Sequence, residues 1–527
     1  MRLEEVKESI SKVETNEDLV ELIKNLRVLS SNEKSNYVLE LIEKTIDISK
    51  EMGNEITLIN LFELKIKQLF HIPQQLESAT RILEEMLNLS KRVKYQEGLA
   101  LAYSTKWGIE KYKGNKEQSL QAMKKSIEIV EKIGKRDPYV YHICKYTYGI
   151  EIWLEHHMIE CVTIFEECIP YFYRNGFNRG FIQSLGILSV IYSKTQDVRK
   201  LDELSKIVLS DRTFFNKQSE DIQAMVFYFI GISQIIQYDL EFAQIHLKEA
   251  YIRWKRLQKK SSYYYYYYIR LLSHIATAQA LKGDLAESFL TLREIKTLLE
   301  DEHYLDNLDH HSKKQVPHTA NLIKFYVYSR KYEFDKDDME PLIMKIIEGL
   351  KEQYSNPIML IEFLLNAKLS ISQLENIKII ENVSILRVQH IIEYLIEKQK
   401  AKGEKEEKLN TMGLISILRN QKEITKTSFT EKAFSDLLIA KELYSIDEFD
   451  EIHLLLNKYK NNLEKIEVLE LKIFMDAFIQ IGEFKNGNPL APALQYVSIR
   501  NCKAFGFTKL EHILIKHQQK MYEFAFK

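Results

Sequence analysis

The chain reads as an all-α protein, a row of antiparallel helical hairpins, and three observations predict it. Glycine and proline number only 17 and 8 in 527 residues, too few for a fold built on many special turns. Apolar residues recur at helical rather than alternating spacing through most of the sequence. A triplet of small, large and small side chains returns about every forty residues, the mark of a repeat architecture.

The triplet is clearest in YDLEFAQIHLKEAY, where Ala243, Leu247 and Ala250 lie on one helix face. Small residues in a core face let a second helix come close. Ser119, Met123 and Ser126 repeat the pattern, as do Cys161, Phe165 and Cys168. Looser copies are Ala79, Leu83 and Met86; Leu201, Ser205 and Val208; and Ser288, Leu292 and Ile295. The first members, 79, 119, 161, 201, 243 and 288, are separated by 40, 42, 40, 42 and 45 residues.

Short turn-forming clusters precede these triplets: KGNKE at 113–117, TQDVR at 195–199, QYDLE at 237–241 and KGDLA at 282–286. Gly, Asn and Asp at such places suit the end of one helix and the start of the next. Twelve residues before three of the anchors stand Gly149, Gly231 and Ala276. Each unit is therefore expected to be a hairpin in which small residues of both helices face one another.

These residues resemble the tetratricopeptide repeat over about 60–300. Phe227, Ile230, Gly231, Asp239, Ala243, Leu247 and Ala250 follow its signature, with Gln234 where the family favours Tyr. In the next unit Leu272, Ile275, Ala276, Gly283, Asp284 and Leu292 match, while Ser288 and Ile295 replace the alanines. The long unit is similar to that of kinesin light chain and the Rap-type peptide sensors. The resemblance implies a TPR-like α-solenoid, a right-handed superhelix whose concave face is lined by the first helix of each hairpin.

Around these repeats the sequence suggests further segments. Residues 1–55 read as a capping segment with two amphipathic helices, LEEVKESISKV and YVLELIEKTIDISKEM. The repeats occupy 56–302, and 303–397 form an irregular connector with degenerate hairpins. Residues 398–410, KQKAKGEKEEKLN, read as a charged linker. Residues 411–527 return to degenerate hairpins, the last with an N-G-N-P turn.

Composition bounds the chemistry. Lysine plus arginine total 74 against 75 acidic residues, so the chain as a whole has no electrostatic footprint for nucleic acid or an anionic membrane. No window holds eighteen uninterrupted apolar residues. The start, MRLEEVKESISKVE, is charged and amphipathic, so no secretory leader is expected. The four cysteines lack a regular framework, which fits a reducing, cytoplasmic setting.

Three features invite sharper hypotheses. His303, His310, His311 and His318 have sevenfold spacings that align imidazoles on a helix, yet Pro317 argues against a continuous one, so no metal is expected. Cys161 and Cys168 replace the small repeat residues and should fill core space. The run SSYYYYYYIR after RWKRLQKK pairs aromatics with cations, as a stacking platform for bases does, but consecutive residues point all round a helix. No GxxxxGK[ST], HExxH or GxSxG motif occurs, so neither catalysis nor a cofactor is expected.

The resemblance also implies a groove. Carried over by register from the anchors, its inward positions are Lys111, Tyr112, Tyr146, Trp153, Leu154, Gln183, Lys194, Tyr228 and Arg270. Cations, aromatics and amides in one groove suit an extended peptide with acidic or C-terminal carboxylate groups. The expected function is a non-catalytic scaffold that binds a partner protein or peptide. The alternatives are a peptide-responsive regulator whose superhelix changes shape, and an RNA-binding protein or enzyme with an unrecognised site.

Overall fold

A computed structural model describes residues 3–33, 35–69, 73–154, 158–195, 200, 203, 215–216, 218–259, 264–330, 336–351, 357–380, 386–400, 411–416, 418–419, 429–504 and 507–525. Every regular element among them is helical, and the protein is all-α. The chain begins with α1 (Leu3–Ile10), α2 (Asn16–Asn32) and α3 (Asn36–Glu51). Hairpins follow: α4 (Glu55–Leu69) with α5 (Leu76–Arg92), α6 (Gln96–Lys113) with α7 (Lys116–Ile133), and α8 (Pro138–Leu154) with α9 (Met158–Arg174). After α10 (Asn178–Thr195) come α11 (Glu220–Gln237) with α12 (Leu240–Leu257), and α13 (Tyr265–Lys282) with α14 (Leu285–Glu300).

The repeat arithmetic is visible in the core. Ala79, Met86, Ser119, Met123, Ser126, Cys161, Phe165, Cys168, Ala243, Leu247, Ala250 and Ser288 are all fully buried. The triplet 201, 205 and 208 lies outside the described residues. Small residues permit backbone contact as expected: Ser126 Oγ donates to the Ala100 carbonyl at 2.9 Å, and Ser288 Oγ to that of Ala276 at 2.9 Å. Cys168 Sγ stands 3.6 Å from the His142 carbonyl, with the same 26-residue separation as Ser126 and Ala100.

Three of the four expected turns fall where they were placed, and the fourth, at 196–199, lies outside the described residues. All three close in the same way. Asn115 N–H reaches the Glu110 carbonyl, Asp239 N–H that of Gln234, and Asp284 N–H that of Gln279, each at 2.9 Å. The residue before each donor is left-handed: Gly114 at φ 83°, Tyr238 at 63° and Gly283 at 94°. This six-to-one closure is the Schellman motif, which satisfies carbonyls that a helix end leaves free.

Two local expectations are corrected. The N-terminal segment contains three helices rather than two, because Thr15 and Asp18 form a reciprocal capping box that starts α2. Its Leu19, Leu22, Ile23, Leu26 and Leu29 are buried. Pro317 does not interrupt its helix. The break falls between α15 (Glu302–Asp306) and α16 (His310–Tyr328), and α16 runs through Pro317.

Further along are α17 (Lys336–Leu350), α18 (Pro357–Asn366), α19 (Ile371–Lys378) and α20 (Leu386–Lys400). Residues 398–400 of the expected charged linker therefore belong to α20, and 401–410 lie outside the described residues. The chain closes with α21 (Phe429–Ser445), α22 (Phe449–Leu456), α23 (Leu469–Lys485), α24 (Ala491–Ala504) and α25 (Thr508–Ala525). The N-G-N-P turn joins α23 to α24, with Gly487 at φ 85°.

Two compact units divide the chain. The first comprises Met1–Ile230, Glu249–Tyr268 and Leu299–Lys313. Within it α2 meets α10 across 148 residues of sequence: Arg179 Nε donates to the Ser31 carbonyl at 3.1 Å, and Asn32 Nδ2 donates to the Gly176 carbonyl at 2.7 Å. The second comprises Gly231–Lys248, Ile269–Leu298 and Lys314–Lys527. There Arg330 is buried, bonded to Glu362 at 2.6 Å and through Nε to Glu470 at 2.8 Å, over the Tyr326 ring at 3.5 Å. Burial of the guanidinium against two half-buried carboxylates is tolerable because each charge is paired.

Candidate functional site

The expected groove residues divide into those that meet one another and those that do not. On α6, Lys111 is half-buried and its Nζ lies 2.9 Å from Glu151 Oε2 on α8. The same oxygen accepts the Trp107 indole N–H at 3.0 Å. Glu151 is 2% exposed, and its Oε1 is buried without a hydrogen-bond partner. The sequence contained the signal for this pair: opposite charges at one repeat spacing, forty residues apart. The cation expected to receive a ligand carboxylate is thus already neutralised at close range.

Tyr146 on α8 and Gln183 on α10 are brought together, with the Tyr146 hydroxyl donating to Gln183 Oε1. Burial raises the Tyr146 phenol, with the nearby Tyr267 adding to it, so this hydroxyl stays protonated and remains a donor. Its ring meets Phe165 and Phe172 edge-on at 6.1 and 5.3 Å. Trp153 is partly buried against the core of Ile152, Cys161, Phe165 and Leu188. Tyr228 is buried, 5.2 Å from Trp254 and 5.4 Å from Phe229, centroid to centroid.

Tyr112 packs toward the start of α16. Its hydroxyl is buried without a hydrogen-bond partner, and desolvation with the nearby Asp309 raises its pKa. Lys194 lies on α10 and Leu154 ends α8, but their side chains lie outside the described residues. Arg270 belongs to the second unit, where it is half-buried and its Nη2 points to Gln315 Oε1 at 3.5 Å.

Sequence reasoning missed a buried, multiply bonded polar residue of the first unit. Arg179 is buried and pairs with Asp221, whose Oδ1 accepts the Trp254 indole N–H at 2.9 Å. The Arg179–Asp221 pair thereby joins α2, α10, α11 and α12. No local pattern announces a contact between residues 31 and 179.

The remaining candidates have structural surroundings. All four cysteines are buried and none forms a disulfide; burial pushes the thiols of Cys144 and Cys161 up to about 11 and those of Cys168 and Cys502 to about 12. Such thiols are poor nucleophiles at neutral pH. His303 is exposed, His310 lies against Gly114, and His318 is buried. No group of three metal-ligating residues forms among the described residues.

No described tyrosine of the 263–268 run is exposed. Tyr265 stacks on Tyr304 at 4.1 Å and Tyr267 on Trp254 at 5.0 Å. The preceding cations have partners too: Arg253 pairs with Glu249 at 2.6 Å, and Arg256 with Glu220. No helix among the described residues is long and apolar enough to cross a membrane. In comparisons with known proteins, the chain matches no family model and no curated sequence.

Proposed function

We propose that the protein is a non-catalytic scaffold of the TPR-like α-solenoid kind, binding an extended peptide or a segment of a partner protein along the first helices of its hairpins. The observation that carries this reading is the recurrence of a buried small-large-small triplet at hairpin spacing, the spacing at which a solenoid of this kind would set its first helices side by side. Half-buried Lys111, Tyr146, Trp153 and Gln183 on that surface combine apolar area with hydrogen-bonding groups, the mix that peptide grooves use. Since Lys111 already faces Glu151, the ligand is better described as a donor-rich, partly aromatic peptide than as one led by a free carboxylate. Protein-binding arrays of this kind act where they are soluble, and a cytoplasmic location accompanies this reading.

The test is a random peptide display library panned on the full chain, with enriched peptides measured against Gln183→Ala and Trp153→Ala. A loss of tenfold or more in affinity, about 1.4 kcal/mol, is expected for both. Unchanged affinity in both variants would remove this surface from consideration.

A second reading, a peptide-responsive regulator, is favoured by the Arg179 cluster. Arg179 lies one helical turn from Gln183, so displacement at Gln183 is linked through one side chain to the N-terminal α2. A peptide that binds at Gln183 and accelerates amide exchange in α2 would support it.

A further inference from the structure

The last helical hairpin carries its large apolar residues on the wrong face. An ordinary surface helix turns them to the core. The buried side of α24 is made of Ala491, Pro492, Gln495, Ser498 and Cys502, with Ile499 as its one large apolar member. Outside are Leu490 at 64% exposure, Leu494 at 44%, Tyr496 at 59% and Val497 at 50%. The Leu494 N–H donates to the Leu490 carbonyl at 3.0 Å, so Leu490 heads the same helix. At 100° per residue, Leu490, Leu494 and Val497 fall on one line, with Tyr496, Arg500 and Lys503 along one flank.

The charges carried by α24 itself and the turn before it have one sign. From Lys485 to Lys503 the sequence KNGNPLAPALQYVSIRNCK contains no acidic residue. Arg500 and Lys503 are exposed, and neither forms an ion pair with a described residue. Two copies of the chain meeting here would bring like charges together.

We propose that the exposed face of α24 docks an amphipathic helix whose apolar stripe is bordered on one side by carboxylates. Its leucine-type residues cover Leu490, Leu494 and Val497, and its acidic flank meets Arg500 and Lys503. This surface is separate from the peptide surface proposed above and does not depend on it.

The probe is a fluorescein-labelled peptide of EALLEEL heptads, titrated into the full chain and followed by anisotropy. Binding is expected to weaken at least tenfold in Leu494→Glu and in Val497→Glu, to weaken with added salt, and to vanish when the glutamates of the peptide become lysines. Far-UV circular dichroism checks that the variants remain folded; Arg500→Glu with Lys503→Glu tests the flank without touching the apolar line. The proposal is overturned if the wild-type chain does not bind the peptide, or if the lysine peptide binds equally well. It also fails if phosphatidylglycerol vesicles bind in the peptide's stead, or if sedimentation shows a dimer that Leu494→Glu abolishes.

Discussion

Gly231 lies directly beneath Leu247: a Cβ on residue 231 would stand 2.6 Å from the Leu247 side chain and 3.4 Å from the Ala243 carbonyl oxygen. The two helices of this hairpin are therefore closer than any side chain larger than hydrogen allows. Gly231→Ala is expected to destabilise the protein by about 1–3 kcal/mol through overpacking, although alanine favours a helix by about 1 kcal/mol over glycine. Ala250→Phe, at a fully buried anchor, should cost as much or more. Urea denaturation reads both; a midpoint that stays or rises in Gly231→Ala would show that the helices are not in contact there.

Lys94 closes the turn between α5 and α6 in a left-handed conformation, φ 55°, and is exposed. Tyr95 N–H completes the same six-to-one bond, to the Ser90 carbonyl at 3.0 Å. A left-handed backbone costs a non-glycine residue about 1–2 kcal/mol, and glycine gives back part of that as unfolded-state entropy. Lys94→Gly is expected to stabilise the protein by about 0.5–1 kcal/mol. Gly114→Ala, left-handed and with its Cβ position 2.6 Å from the His310 ring, should do the opposite. Thermal unfolding of the two variants side by side decides, and a lower melting temperature for Lys94→Gly would contradict the argument.

How much of this was legible in the sequence depends on the range of the interaction. Turns at 114, 239 and 284 and the buried triplets follow from local chemistry, because a helix end needs its carbonyls satisfied and a close helix pair needs small side chains. Lys111 was placed by register, yet its neutralisation by Glu151 required pairing one repeat with the next. Arg179 was invisible, since its partners Ser31 and Asp221 lie 148 and 42 residues away. The continuous helix through Pro317 was missed for another reason: proline removes one hydrogen bond and usually breaks a helix, but packing on both sides of residue 317, at Val316 and His318, holds this one together.

Arg179 and Asp221 are both buried, and each has a second hydrogen-bonded partner. Removing one member leaves the other charge without compensation, so Arg179→Ala is expected to cost about 3–5 kcal/mol. Asn32→Ala, which removes two neutral bonds, one donated to the Gly176 carbonyl and one accepted from the Arg179 backbone N–H, should cost about 1–2 kcal/mol. Combined with Arg179→Ala it should be less than additive, because both variants loosen the same contact between α2 and α10. Denaturant titrations of the two single variants and the double variant measure the coupling; strict additivity would mean that the two residues hold α2 independently.

His318 supplies a pH dependence whose sign is fixed by burial. The imidazole is 4% exposed, and desolvation lowers its pKa from 6.5 to about 4. Above pH 6.5 neither the folded nor the unfolded chain protonates this ring, and its contribution to stability is fully present. As the pH falls below 6.5 the unfolded chain takes up a proton that the folded chain refuses, so stability declines until the folded ring also titrates near pH 4. The loss attributable to His318 between pH 6.5 and 5 is about 2 kcal/mol, at about 1.4 kcal/mol per unit. A Cβ on Gly349 would lie 2.2 Å from His318 Nδ1, so the ring fills its site closely, and His318→Gln is expected to lower stability at pH 7. At pH 5 the variant should recover most of that deficit relative to the wild type, because glutamine does not titrate. Chemical denaturation of both proteins at the two pH values measures the change, and an equal deficit at pH 7 and pH 5 would rule out the buried neutral imidazole as its source.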